Sequence, residues 1–110
     1  MDRVNYAALL EKLFLAHQHD VVSSGLVESQ VVIDRERGHY QVLSIGWERG
    51  QRVYHVLLHV DLKDQKFWVQ QDYTQPSITD LLLEAGVPKS DIVLGFQPPQ
   101  ARELMDFAVG

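Results

Sequence analysis

The stretch from Arg52 to Asp72, RVYHVLLHVDLKDQKFWVQQD, constrains the fold more than any other part of the chain. Apolar and polar residues alternate with a period of two on both sides of LKDQK, which is typical of a half-buried β-hairpin. With Asp64-Gln65 at the tip, Leu62 lies opposite Phe67. A slip by one residue would pair apolar with polar positions, so the burial of one face selects this register.

The predicted hairpin has one face that is almost wholly apolar and a second face that we call the mixed face. In this register His59 lies opposite Gln70, and Leu57 lies opposite Asp72. The mixed face carries six polar or aromatic side chains: His55, His59, Asp61, Trp68, Gln70 and Asp72. We therefore expect a functional site of this chain on the mixed face.

The residues before the hairpin predict a helix followed by two further strands. An apolar stripe at helical spacing runs from Asp2 to His17 and is wide enough to lie across a sheet. Asp2 is the expected N-cap or first-turn anion of this helix. Residues 27–33 and 39–47 then alternate as strands.

Glycines at the turns predict how these strands pair. A three-residue loop, Glu36-Arg37-Gly38, puts Gly38 at the left-handed position and Ile33 opposite Gln41. The next hairpin has Arg49-Gly50 at its tip. This register puts apolar residues of the second strand on the helix-covered face, namely Leu43, Ile45 and Trp47. It puts three others on the mixed face, Tyr40, Val42 and Ser44, opposite His59, Leu57 and His55.

The remaining residues predict two short helices. Ser77-Ile78-Thr79-Asp80 fits a capping box, and Gly86 ends the helix that follows it. The segment DIVLGF is either a short strand or an apolar connector, and PPQARELMDF predicts a last short helix. The sequence therefore predicts one α+β domain over residues 1–110. Its antiparallel meander sheet has four to five strands, with the N-terminal helix on one face and two short C-terminal helices.

The composition excludes several classes of function. The net charge is -5, and the ten Lys and Arg residues are scattered, so we expect no direct binding to nucleic acid. The chain has no cysteine, which excludes disulfides and thiolate chemistry. No apolar run approaches the roughly 18 residues that a membrane helix needs, and we expect a cytoplasmic protein.

Two interpretations of the mixed face remain open. His55 and His59 lie roughly 13 Å apart along one strand and cannot share a metal ion. His59, Asp61 and Asp72 lie on adjacent strands and could hold a divalent ion or support acid–base chemistry. The mixture of aromatic, aliphatic and polar groups favours the centre of a protein interface instead. The residues expected at that centre are Tyr40, Leu57, His59 and Trp68. We expect no catalytic residue and no cofactor.

Four segments, DRERGHYQVLSIGW, RVYHVLLHVDLKDQKFWVQQD, GVPKSDIVLGFQPP and FAVG, resemble the XisI family of cyanobacterial fdxN-element excision controlling factors. The resemblance extends over essentially the whole chain, in the same order. It implies a small α+β protein that helps to control the excision of a DNA element by a site-specific recombinase. It also implies a partner, the nuclease-like XisH factor that is typically encoded beside these proteins. We expect a non-catalytic regulatory protein that associates with an XisH-like protein and with itself.

Overall fold

The computed structural model describes residues 5–17 and 26–110, which form short helices and a five-stranded sheet. In chain order the elements are α1 (Tyr6–Leu15), β1 (Val27–Asp34), β2 (His39–Glu48), β3 (Gln51–Lys63), β4 (Lys66–Asp72), α2 (Ile78–Glu84), a 3-10 helix (Lys89–Asp91), β5 (Ile92–Leu94) and α3 (Pro99–Arg102). The sheet order is β1-β2-β3-β4-β5. Neighbouring strands are antiparallel, except that β5 is parallel to β4. The predicted α+β fold is confirmed, and DIVLGF contributes a strand.

Helix α1 packs on one face of the sheet, which we call the covered face. Its buried residues, Tyr6, Leu10 and Phe14, are four residues apart and form a single stripe along the helix. The Tyr6 ring lies 4.6 Å from that of Phe67 on β4, and the Phe14 ring lies 5.8 Å from that of Tyr40 on β2. The stripe therefore crosses the sheet, as its width predicted. Asp2, the expected N-cap of this helix, lies outside the described residues.

A buried hydrogen bond joins α1 to the 3-10 helix. The Tyr6 hydroxyl donates to Asp91 Oδ2 at 2.6 Å, and Asp91 is only 2% exposed. A carboxyl group at this depth requires hydrogen-bond donors, because transfer out of water without them is costly. The bond therefore fixes α1 against the segment that leads into β5.

The two tight hairpin turns form at the predicted tips. Asp64 and Gln65 have φ angles of 54° and 62°, and Arg49 and Gly50 have φ angles of 51° and 76°. Positive φ at both central residues gives a turn whose twist matches that of the flanking strands. The pairing of Leu62 with Phe67 follows from the first of these turns and is confirmed.

The loop between β1 and β2 is one residue longer than predicted. Ile33 lies opposite Tyr40, and the predicted pairing of Ile33 with Gln41 is wrong. The Asp34 carbonyl accepts a hydrogen bond from the Gly38 N–H at 2.8 Å, which closes the loop after four residues. Gly38 has a φ of 77°, so its predicted left-handed conformation is confirmed.

A β-bulge in β3 changes which side chains share a face. Val42 pairs with Leu58, whereas the next residue, Leu43, pairs with Val56 as predicted. Leu57 is therefore an extra residue in β3. In a regular strand Val56 and Leu58 would lie on the same face, but the extra residue puts them on opposite faces of the sheet. Because of this swap, the predicted position of Val42 on the mixed face is wrong.

The residues on either side of this bulge show the consequence. Tyr40 lies opposite Val60 on the covered face and is fully buried, so its predicted position on the mixed face is also wrong. The predicted pairs of Ile45 with Tyr54 and of Trp47 with Arg52 are correct. Residues alternate along β2, and Tyr40 lies on the covered face, so Ile45 and Trp47 lie on the face opposite α1. The bulge brings Tyr54 and Arg52 of β3 to that same face, and the predicted position of these pairs on the covered face is wrong.

A second irregularity separates β3 from β4. Val60 pairs with Val69, but His59 pairs with Gln71, so Gln70 is the extra residue of β4. Asp72 consequently pairs with Leu58. The predicted pairings of His59 with Gln70 and of Leu57 with Asp72 are wrong for this reason.

Helix α2 begins as its capping box predicted. The Ser77 hydroxyl oxygen accepts the N–H of Asp80 at 3.1 Å. Gly86 follows the helix with a φ of 99°, a conformation in which glycine carries no steric penalty. Within residues 5–17 and 26–110, none of the helices has the length and apolarity needed to cross a membrane.

Candidate functional site on the open face

The face of the sheet opposite α1, which we call the open face, carries alternate residues of β1 and β2 and their partners in β3. It extends from the pair His39 and Asp61 at one end to the pair Trp47 and Arg52 at the other. Buried side chains of α1 and α2 belong to the core cluster of the covered face. Neither helix can therefore shield the open face.

One end of the open face is apolar and aromatic. Trp47 is 51% exposed and Tyr54 is 63% exposed. The Arg52 guanidinium lies 5.5 Å from the centroid of the Trp47 ring and 5.9 Å from that of the Tyr54 ring. We call Trp47, Arg52 and Tyr54 the aromatic end. Grouped exposed apolar side chains of this size are typical of an interaction surface.

The other end of the open face is polar and holds two histidines around one carboxylate. His39 Nδ1 and His59 Nε2 each lie 2.8 Å from the same oxygen, Asp61 Oδ1. We call these three residues the histidine–aspartate cluster. They border a depression of about 400 Å³. Both imidazoles therefore contact one carboxylate oxygen at the edge of an accessible depression.

Two amide side chains support the histidine–aspartate cluster. Gln70 Nε2 donates to Asp61 Oδ2 at 3.3 Å, and Gln41 Nε2 lies 3.5 Å from His59 Nδ1. Partial burial raises the pKa of the Asp61 carboxyl, but hydrogen bonds from His39, His59 and Gln70 and the charge of His59 outweigh it. The pKa of Asp61 consequently lies below its ordinary value, which keeps the carboxylate ionised near neutral pH.

Of the predicted site residues, His59 and Asp61 lie together, whereas Asp72 lies elsewhere. Asp72 Oδ2 accepts the backbone N–H of Ile78 at 2.7 Å, and Asp72 Oδ1 accepts that of Thr74 at 2.8 Å. Asp72 thus fixes the start of α2 on the covered side. The predicted cluster of His59, Asp61 and Asp72 is wrong, because the extra residue in β4 turns Asp72 away.

The residues predicted for a protein interface are also divided. Tyr40 is in the core and cannot touch a partner of the folded chain, and burial raises the pKa of its phenol. Leu57 is half-buried at the bulge and packs against the core cluster. Trp68 is half-buried as well, with the Arg102 guanidinium 5.4 Å and the Lys63 ammonium 5.3 Å from its ring centroid. The segment that contains α3 therefore covers part of Trp68.

The sequence reasoning missed His39 as a member of the cluster. His39 lies directly after the β1–β2 loop and pairs with Asp61 across β2 and β3. The predicted register put Tyr40 opposite His59, where Gln41 lies in the structure. Had β3 been assigned its bulge, the turn at Arg49-Gly50 would have brought His39 opposite Asp61.

Comparison with known proteins assigns the chain to a family. The sequence profile of the XisI protein family matches residues 1–109. The crystal structure of a XisI-like protein from Anabaena variabilis ATCC 29413 is 40% identical in sequence with a TM-score of 0.89, and the match covers 99% of this chain and 100% of that chain.

A second structure carries the name of the excision factor itself. The crystal structure of the fdxN element excision controlling factor XisI from Anabaena variabilis ATCC 29413 is 32% identical, with a TM-score of 0.72. That match covers 98% of this chain and 95% of that chain. None of the curated proteins that were compared with the chain matches it. Sequence, fold and length agree throughout, and this chain belongs to the XisI family.

Proposed function

We propose that this protein is a regulatory factor that controls the site-specific excision of a DNA element through contacts with other proteins, without catalysis of its own. Its similarity to the fdxN element excision controlling factor of Anabaena variabilis, at 32% identity, supports this role. The net charge of -5 supports an indirect action on DNA, since direct binding to the phosphate backbone depends on grouped Lys and Arg residues.

The aromatic end of the open face is the observation that carries this proposal. Trp47, Arg52 and Tyr54 represent the three residue types that are most enriched at the energetic centres of protein interfaces. They lie together, with large exposed fractions, on a sheet face that α1 and α2 leave accessible. His59 lies toward the polar end of the same face, and the half-buried Trp68 lies opposite Asp61 there.

Two of the arginines near the turns support protein contact over DNA contact. Arg37 forms an ion pair with Asp34 at 3.4 Å, and Arg35 lies 3.6 Å from Glu11. Hydrogen bonds from Arg37, mainly from its backbone, outweigh desolvation and hold the pKa of Asp34 below its ordinary value. These cations are already matched by carboxylates, so they offer little net charge for phosphates.

We propose two partners for this surface, an XisH-like protein and a second copy of the chain. The test is co-purification of the untagged protein with a tagged XisH-like protein encoded beside it, followed by light scattering to obtain the mass of the complex. The decisive variant is Tyr54→Glu, which puts a carboxylate into the aromatic end. We expect it to weaken the association at least tenfold, equivalent to about 1.4 kcal/mol.

Leu15→Glu is the matched control. Leu15 is 48% exposed on α1, so this variant makes the same change of charge at an apolar surface position on the other side of the molecule. Circular dichroism would verify that both variants are folded. Equal association of Tyr54→Glu and the unmodified chain would contradict the proposed surface. Failure of the unmodified chain to associate with the XisH-like protein would contradict the proposed function.

A further inference from the structure

The histidine–aspartate cluster supports an inference that goes beyond the proposed function. We propose that His39, His59 and Asp61 form a binding site for a divalent first-row transition metal ion such as Zn²⁺. One donor atom from each residue lies within 4.8 Å of the other two. His39 comes from β2, whereas His59 and Asp61 are two positions apart on β3, so the regular pairing of two strands presents all three.

The distances suit an ion with little rearrangement. Each imidazole nitrogen lies 2.8 Å from Asp61 Oδ1. An ion bound about 2.0–2.2 Å from each donor requires the donors to be roughly 3.4 Å apart, so each contact must widen by about half an ångström. The side chain of His39 is 56% exposed and can make this movement without disturbing the core. The ion would lie between the ring nitrogens and the carboxylate oxygen that now contact one another directly.

The donor set indicates the class of metal. Two imidazoles and one carboxylate suit Zn²⁺, Co²⁺, Ni²⁺ or Fe²⁺, whereas Mg²⁺ and Ca²⁺ prefer sites made of oxygen donors. Three protein ligands leave at least one coordination position for water or another ligand. That position would open into the depression of about 400 Å³ beside the cluster.

The surroundings of the cluster resemble the outer shell of a metal site. Gln70 holds the second oxygen of Asp61, which orients the carboxylate. The Gln41 amide lies 3.5 Å from His59 Nδ1, the ring nitrogen that would not bind the ion. A rotated amide would present its oxygen to the Nδ1–H of a metal-bound imidazole. Such partners fix the tautomer and the orientation of ligating histidines.

The test is a calorimetric titration of the untagged, full-length chain with Zn²⁺, and with Mg²⁺ as the comparison ion. We expect one Zn²⁺ per chain and no binding of Mg²⁺. His39→Ala and Asp61→Asn should each weaken Zn²⁺ binding at least tenfold, because each removes one of three ligands. Titration with Co²⁺ gives an independent result, since coordination by histidine and carboxylate produces visible absorption bands in the unmodified chain.

Two controls use the other histidines. His55 pairs with Ser44 beyond the bulge, on the opposite face from His59, so His55→Ala should leave Zn²⁺ binding unchanged. The double variant His17→Ala/His19→Ala tests whether the segment HQHD binds the ion instead. The proposal is overturned if the chain binds no Zn²⁺, or if binding survives in His39→Ala and Asp61→Asn. Loss of binding in either control would overturn it equally.

Discussion

Replacing Tyr6 with phenylalanine should destabilise the fold, whereas the same replacement at Tyr40 should not. Both tyrosines are buried in the core, and both rings pack against a phenylalanine ring. They differ in what the hydroxyl group contacts. Tyr6 donates to Asp91 Oδ2, whereas the buried Tyr40 hydroxyl has only the nearby Arg35 side chain and no partner at hydrogen-bonding geometry within the described part of the chain. The pair therefore tests the contribution of the buried Tyr6 hydroxyl.

The magnitude follows from the environment of Asp91. Tyr6→Phe keeps the ring and its contact with Phe67, so the hydrophobic contribution changes little. It removes a 2.6 Å hydrogen bond to a carboxyl group that is 2% exposed. Loss of a donor to a buried acceptor costs about 1–3 kcal/mol. Tyr40→Phe removes a buried hydroxyl that makes no well-aligned hydrogen bond among the described residues and only approaches Arg35, so we expect stability to change by less than about 1 kcal/mol.

Urea denaturation followed by far-ultraviolet circular dichroism measures both changes. The slopes of the free energy of unfolding against urea concentration should agree among the three proteins, so that midpoints can be compared directly. Equal destabilisation by Tyr6→Phe and Tyr40→Phe would refute the reasoning, since it would show that the bond to Asp91 contributes nothing specific. An unchanged midpoint for Tyr6→Phe would refute it as well.

Three further predictions concern single positions. Gly46→Ala should lower the free energy of unfolding in urea by about 2–4 kcal/mol, because the new Cβ would lie only 1.9 Å from the Leu26 carbonyl oxygen. Gly50→Ala has open space around its Cβ but a φ of 76°, so it should lower the free energy of unfolding by about 1–2 kcal/mol. Ser77→Ala removes the N-cap of α2 and should cost about 0.5–2 kcal/mol, measured in the same way. Burial raises the pKa of the Tyr40 phenol, so the fold keeps its stability below pH about 10 and loses stability as the pH rises through the raised pKa, because the buried phenol must ionise. Thermal unfolding between pH 8 and 11 should therefore show a smaller decline for Tyr40→Phe than for the unmodified chain.

Local features of the sequence predicted the parts of the fold that local chemistry determines. Asp64-Gln65 and Arg49-Gly50 form the predicted tips, and Ser77 caps α2 as its spacing indicated. In each case a few adjacent residues fix the backbone. Such features are accessible without knowledge of the tertiary structure.

The bulges could not be predicted from the sequence in the same way. In β3 three apolar residues, Val56, Leu57 and Leu58, follow one another, so the alternation does not say which of them is extra. The choice depends on which neighbours in β2 are buried by α1, and this is a tertiary effect. One extra residue in each of β3 and β4 accounts for the wrong positions of Tyr40 and Asp72.

The same reasoning explains the partial prediction of the candidate site. His59 and Asp61 are two residues apart on one strand, so their proximity requires only that the strand be assigned correctly. His39 joins them from another strand, and its place depends on the bulge in β3, which shifts the pairing of β2 with β3 by one residue. Residues that share a strand were therefore grouped correctly, whereas groupings across strands failed where the register shifted.

The bond between Tyr6 and Asp91 also has a consequence for synthesis on the ribosome. The two residues are 85 positions apart, which corresponds to roughly 4–17 s at ordinary rates of translation. During this interval α1 lacks both its partner on the 3-10 helix and the Phe67 ring on β4 for much of the time. Its apolar stripe is exposed to chaperones and to other nascent chains until the last part of the sheet has emerged. The helix is made before every strand of the sheet on which it packs, and its bond to the 3-10 helix can form only after Asp91 has been synthesised.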